Sequence, residues 1–135
     1  MSSQIKQKRN LFFAGLLIAA VLGLTHIPQK NVGVDLAQHG FDKLLHGAAY
    51  ALIGFCLFSG LEYGRGYRNW FLALLILTAV AAVDEWTQQY VGRVASLADF
   101  GADMVGILVV LFNLLQHSLE QRRRTDSDNQ PSDAA

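Results

Sequence analysis

Three short stretches of the chain hold residue types that move protons or bind charge. They are Asp42, Lys43 and His46; then Asp84, Glu85 and Gln88; and, after Arg93 and Ser96, Asp99 and Asp103. Residues four apart share a helix face, so Asp42 with His46, Asp84 with Gln88, and Asp99 with Asp103 each form a polar stripe, which Tyr50 extends by one turn on the first. Carboxyl groups beside an imidazole supply general acids and bases, with His46, Asp84, Glu85 and Asp99 as the candidate catalytic groups. The same oxygens together with His46 also suit a divalent cation that prefers oxygen. No HExxH or paired CxxC spacing occurs, so no metal set and no cofactor is assigned from motif alone.

The elements that carry these residues are apolar. Of the 135 residues, 52% are hydrophobic and 16% charged, an imbalance that a small soluble core does not need. The apolar residues gather in four blocks, about 11–27, 44–61, 70–90 and 97–116. Each approaches the roughly 20 residues that cross a hydrocarbon core about 30 Å thick. The expected fold is therefore an all-α bundle of four transmembrane helices. Block 1 follows Lys6, Lys8 and Arg9 in the manner of a secretory signal, but THIPQK offers no small-x-small cleavage site, so it is read as an uncleaved first span. Net charge is zero, which gives no basic field for nucleic acid, and the single Cys56 lies inside an apolar block as a small packing residue.

Orientation follows from the basic residues. Lys6, Lys8 and Arg9 precede the first span, Arg65 and Arg68 lie between the second and third, and Arg122, Arg123 and Arg124 follow the fourth, which leaves Lys30, Lys43 and Arg93 for the other two loops. This bias places both termini in the cytoplasm. Residues 1–10 are then a cytoplasmic N-terminal segment, 11–118 the membrane domain, and 119–135 a polar tail expected to be disordered. Loop 2–3 (EYGRGYRN) reads as a short turn, and loop 1–2 as part of an outer cap. Gly15, Ala19 and Gly23 in the first span, and Ala98, Ala102 and Gly106 in the fourth, repeat small residues every four positions and are candidate helix contacts.

With this orientation the chemistry-bearing residues all fall near the extracytoplasmic leaflet. Asp84 is fourteen residues from Trp70, about 21 Å along a helix, and so lies about 9 Å inside a 30 Å core. Asp103 lies at a similar depth, counted from Leu97. Carboxylates there cost several kcal/mol unless they meet a partner, water or a proton, so the stripes must face one another or a cavity. With few cations available, Arg93 is expected to pair with Asp84, Glu85 or Asp99. His26 and His117 read as interfacial residues at helix ends, and His39 as a loop residue.

The stretches FDKLLHGAAYALIGF and VDEWTQQYVGRVASLADFGADMVG resemble the VanZ-like family of small bacterial membrane proteins, whose pattern runs DKxxH, DExxQ, an Arg, a Ser and a final DxxxN. Matching positions are Asp42, Lys43, His46 and Tyr50; Asp84, Glu85 and Gln88; Arg93, Ser96, Asp99 and Gly106; the family's last Asn is Asp103 here. The resemblance covers the second to fourth spans and implies a multi-pass protein of the bacterial inner membrane. The family's namesake is associated with resistance to the glycopeptide teicoplanin, a phenotype that resemblance alone does not transfer.

Three readings of the site remain open. In the first, the cluster (Asp42, Lys43, His46, Tyr50, Asp84, Glu85, Gln88, Arg93, Ser96, Asp99 and Asp103) binds an envelope lipid, a lipid-linked saccharide or a lipoglycopeptide. The second is a membrane-embedded acid/base or metal-assisted enzyme acting on an envelope precursor. In the third, the cluster only ties helices together, in a structural subunit or one that binds a partner protein or a second copy of itself.

Overall fold

The computed structural model describes residues 3–27, 40–61 and 66–128. Its elements are four helices, α1 (Ser3–Thr25), α2 (Phe41–Leu61), α3 (Gly66–Gln88) and α4 (Leu97–Asp128), with one 3₁₀ turn at Gln89–Val91 after α3. Among the described residues there is no strand. All four helices are long and apolar enough to cross a membrane.

Local sequence explains the boundaries. α1 ends at Thr25, three residues before Pro28, whose ring disfavours helical geometry at the residue preceding it. Asn69 Nδ2 donates to the Leu61 carbonyl at 3.3 Å, so the first turn of α3 satisfies the orphaned end of α2. Gly92 takes a left-handed φ of 76° and stops the 3₁₀ turn, a conformation that costs glycine little. Ser96 then caps α4, its carbonyl and Oγ both accepting the Asp99 N–H, at 3.0 Å and 3.3 Å.

Several boundaries differ from the sequence reading. α1 starts at Ser3, so the basic N-terminal segment is helical, and α3 begins inside the stretch read as a turn. The tail expected to be disordered from 119 is helical to Asp128, and His117 lies within α4, paired with Gln121 at 3.0 Å, rather than at a helix end. A helix already nucleated in the apolar block propagates through polar residues at little further cost, since each adds one bond per residue fixed. Residues 129–135, loop 1–2 with Lys30 and His39, and Arg65 lie outside the described residues.

α2 is the central helix and meets α4 and α1 most extensively, while α1 and α3 scarcely touch. The inward face of α2 is Tyr50, Ile53, Gly54 and Phe58; that of α3 is Ala73, Leu77 and Ala81; α4 contributes Ile107 and α1 contributes Ala14. Phe58 stacks on Trp70 with ring centroids 5.8 Å apart. The outer surface is the reverse of a soluble protein's, with Phe12, Leu44, Leu75 and Phe112, one from each helix, more than half exposed. So continuous an apolar exterior requires lipid or another apolar partner.

The small-residue stripe of α4 performs as read at Ala102 and Gly106, while Ala98 is exposed, and the stripe of α1 does not. A Cβ on Gly47 would meet the Ala102 carbonyl oxygen at 3.1 Å, and one on Gly106 would collide with the Gly47 carbonyl, so α2 and α4 touch backbone to backbone. Gly15, Ala19 and Gly23 instead lie on the exposed side of α1, with nothing within 4 Å of a Cβ built on either glycine. α1 packs inward through Ala14, Leu17, Ile18 and Val21.

Candidate functional site

The apolar inward faces turn polar at one end of the bundle. On α3 the row Ala73, Leu77, Ala81 continues as Asp84 and Gln88; on α4, Ile107 leads back to Asp103; on α2, Tyr50 leads back to His46. The helical period that builds the core thus carries the polar side chains inward at the same azimuth. α1 and α3 end here and α2 and α4 begin here, so the acids Asp42 and Asp99 occupy helix first turns, where the positive end of the macrodipole favours them.

The polar residues form three tiers. At the rim, Lys43 Nζ lies 3.0 Å from Asp42 Oδ2 and 3.1 Å from Asp99 Oδ1, which bridges α2 to α4. Exposure falls inward from 44% for the Lys43 side chain to 23% for Asp42 and 13% for Asp99. In the middle tier, His46 Nδ1 is 3.2 Å from Asp103 Oδ1 and 4.0 Å from Glu85 Oε1. Glu85 is held on both oxygens: Gln88 Nε2 donates to Oε1 at 3.3 Å and the Ser96 backbone N–H donates to Oε2 at 2.8 Å. The acid that completes the start of α4 therefore comes from α3, across the turn, and fixes α4 against α3.

In the deepest tier Asp84 is fully buried and receives one hydroxyl on each oxygen. Thr25 Oγ1 donates to its Oδ1 at 2.6 Å and the Tyr50 hydroxyl donates to its Oδ2 at 3.4 Å, linking α1, α2 and α3 through one carboxylate. His26 joins from the end of α1, with Nδ1 donating to the Leu22 carbonyl at 2.7 Å and lying 3.7 Å from Asp84 Oδ1, and Nε2 2.8 Å from Thr87 Oγ1.

Of the eleven residues expected to bind, ten converge here: Asp42, Lys43, His46, Tyr50, Asp84, Glu85, Gln88, Ser96, Asp99 and Asp103. Arg93 does not. Its Nε donates to the Ile27 carbonyl at 3.1 Å, and it makes no ion pair among the described residues. The turn at Gly92 delivers Arg93 to the open end of α1, where a backbone carbonyl awaits a donor. Thr25, His26 and Thr87 belong to the cluster although the sequence reading omitted Thr25 and Thr87 and set His26 aside as interfacial.

Among the described residues, three buried carboxylate oxygens have no hydrogen-bond donor: Asp42 Oδ1, Asp99 Oδ1 and Asp103 Oδ2. Lys43 lies close to the second of these but without the alignment of a hydrogen bond. Buried acceptors left unpaired cost about 1–3 kcal/mol each. The cluster therefore has spare accepting capacity, and its acids outnumber its cations. Compared with protein-family models, curated proteins and solved structures, the chain matches none.

Proposed function

We propose that the polar end of the bundle faces the extracytoplasmic side of a bacterial inner membrane and recognises the hydroxyl-bearing headgroup of an envelope amphiphile, a lipid-linked saccharide or a lipoglycopeptide. The observation that carries this reading is the carboxylate pair astride Lys43 at the rim, where among the described residues Asp42 Oδ1 has no donor and Asp99 Oδ1 meets only the Lys43 ammonium, at 3.1 Å. Sugar hydroxyls supply the donors that these oxygens lack, and the Lys43 ammonium offers a donor in return. A bare phosphate is a poorer match, because two carboxylates face it against one ammonium.

Two further features support the reading. Lys6, Lys8 and Arg9 on α1, Arg68 on α3 and Arg123 and Arg124 on α4 gather at the opposite end, the distribution expected of a cytoplasmic face. The ordered motifs that resemble the VanZ-like family run through the same tiers and favour an envelope ligand.

The test is native mass spectrometry of the protein in lipid nanodiscs offered a polyprenyl-linked disaccharide and the same polyprenyl phosphate without sugar. The sugar-bearing lipid should be retained by the wild type and lost from Asp42→Asn/Asp99→Asn. Equal retention of both lipids, or retention unchanged in the double variant, overturns the reading. Orientation is checked separately with a reporter active only outside the cytoplasm, which should work when inserted near Val94 and fail when fused after Asp128.

A further inference from the structure

The middle tier has features that a helix staple does not need. His46, Glu85 and Asp103 come from three different helices, and each offers one ligand atom within 4.8 Å of the other two. In an octahedral site with bonds of about 2.1 Å, neighbouring ligand atoms stand about 3.0 Å apart. The 3.2 Å between His46 Nδ1 and Asp103 Oδ1 is close to that spacing, and the 4.0 Å to Glu85 Oε1 reaches it with a side-chain adjustment of about 1 Å.

Two observations go beyond the grouping of acids. Asp103 is wholly buried, yet among the described residues its Oδ2 has no donor, so half of this carboxylate is withdrawn from water without a hydrogen bond in exchange. Glu85 is pinned through Oε2 by the Ser96 N–H, and its Oε1, which accepts from Gln88 Nε2 and keeps a further lone pair, faces His46 in the manner of a ligating carboxylate oriented by outer hydrogen bonds.

We propose that His46 Nδ1, Glu85 Oε1 and the Asp103 carboxylate form a divalent-cation site. One imidazole with two carboxylates suits an ion that takes both oxygen and nitrogen and prefers six ligands, for which Mn²⁺ is the probe of choice. The dication balances the two carboxylates with His46 neutral and fills the empty acceptor position on Asp103. The site stands apart from the headgroup reading, since neither rim acceptor belongs to it.

The experiment uses the full chain, stripped with chelator and held in nanodiscs of zwitterionic lipid, titrated with Mn²⁺ and followed by electron paramagnetic resonance. One Mn²⁺ per chain should bind and show hyperfine coupling to an imidazole nitrogen. His46→Gln should lose that coupling, and Asp103→Asn should weaken binding by about tenfold or more. Wild-type binding without nitrogen coupling, or binding unchanged in Glu85→Gln/Asp103→Asn, overturns the proposal. The wild-type spectrum decides alone if a variant fails to fold. Disaccharide-lipid retention in chelator tests the rim separately, so the two proposals can fail independently.

Discussion

Asp84 and Asp103 are the same side chain at the same degree of burial, at the same end of the bundle, and the protein treats them differently. Asp84 receives hydroxyls from Thr25 and Tyr50, one on each oxygen, so three helices close on a satisfied group. Among the described residues Asp103 meets only His46, on one oxygen, and its other oxygen has no donor. Burial alone therefore does not separate a structural carboxylate from a functional one. What separates them is how many of the two oxygens the fold supplies with a donor: both in Asp84, which ties three helices together, and one in Asp103, whose second oxygen can accept from outside.

The largest effect should come from Asp84→Ala, which strands two buried hydroxyls and opens a cavity where α1, α2 and α3 meet. A loss of about 3–4 kcal/mol is expected in chemical or thermal unfolding in detergent. A loss below 1 kcal/mol would erase the contrast with Asp103. Next comes Gly106→Ala, whose methyl meets the Gly47 carbonyl and should cost about 1–3 kcal/mol. It should lengthen a spin-label distance between α2 and α4 and weaken Mn²⁺ binding; a variant as stable as wild type would refute the close approach. Thr25→Val tests the filled carboxylate more gently, removing one donor to a charged acceptor for about 1.5–3 kcal/mol without touching Mn²⁺ affinity.

The smallest effects on stability should come from Asp103→Asn and Arg93→Ala. The first places at this position the residue of the VanZ-like pattern; its amide can still partner His46, so thermal unfolding should hardly move while ligand binding falls. Equal losses of stability in Asp103→Asn and Asp84→Asn would place both carboxylates in the structural role. Arg93→Ala should leave the unfolding midpoint and Mn²⁺ binding at wild-type values, because its partner is a backbone carbonyl at the loop rather than a carboxylate.

Much of this arrangement was legible in the sequence, for stated reasons. Four apolar blocks fixed the number of helices, and the four-residue spacing of Asp42 with His46 and of Asp99 with Asp103 brought their stripes onto facing sides. The errors at the site share a cause, which is that partners came from far along the chain. Thr25 sits 59 residues from Asp84, and a threonine at a helix end looks the same whether it meets headgroups or a buried acid. Charge counting gave Arg93 a carboxylate, but the left-handed turn at Gly92 sent it to α1. Small-residue spacing identified the contact on α4 and misread α1, since periodicity names a face without saying what lies against it.

α4 carries a consequence of its own length. Its 32 residues extend about 48 Å, some 18 Å beyond a hydrocarbon core of about 30 Å, and the surplus carries Arg123 and Arg124. Asp103 rides near the opposite end of this continuous rod. A turn of the helix about its axis that swings Asp103 away from His46 swings the emergent arginines by the same angle. Ser127 stands 24 residues, about 36 Å, further along the same axis than Asp103, so a dye there would report any such turn of α4 at a distance from the carboxylate it moves.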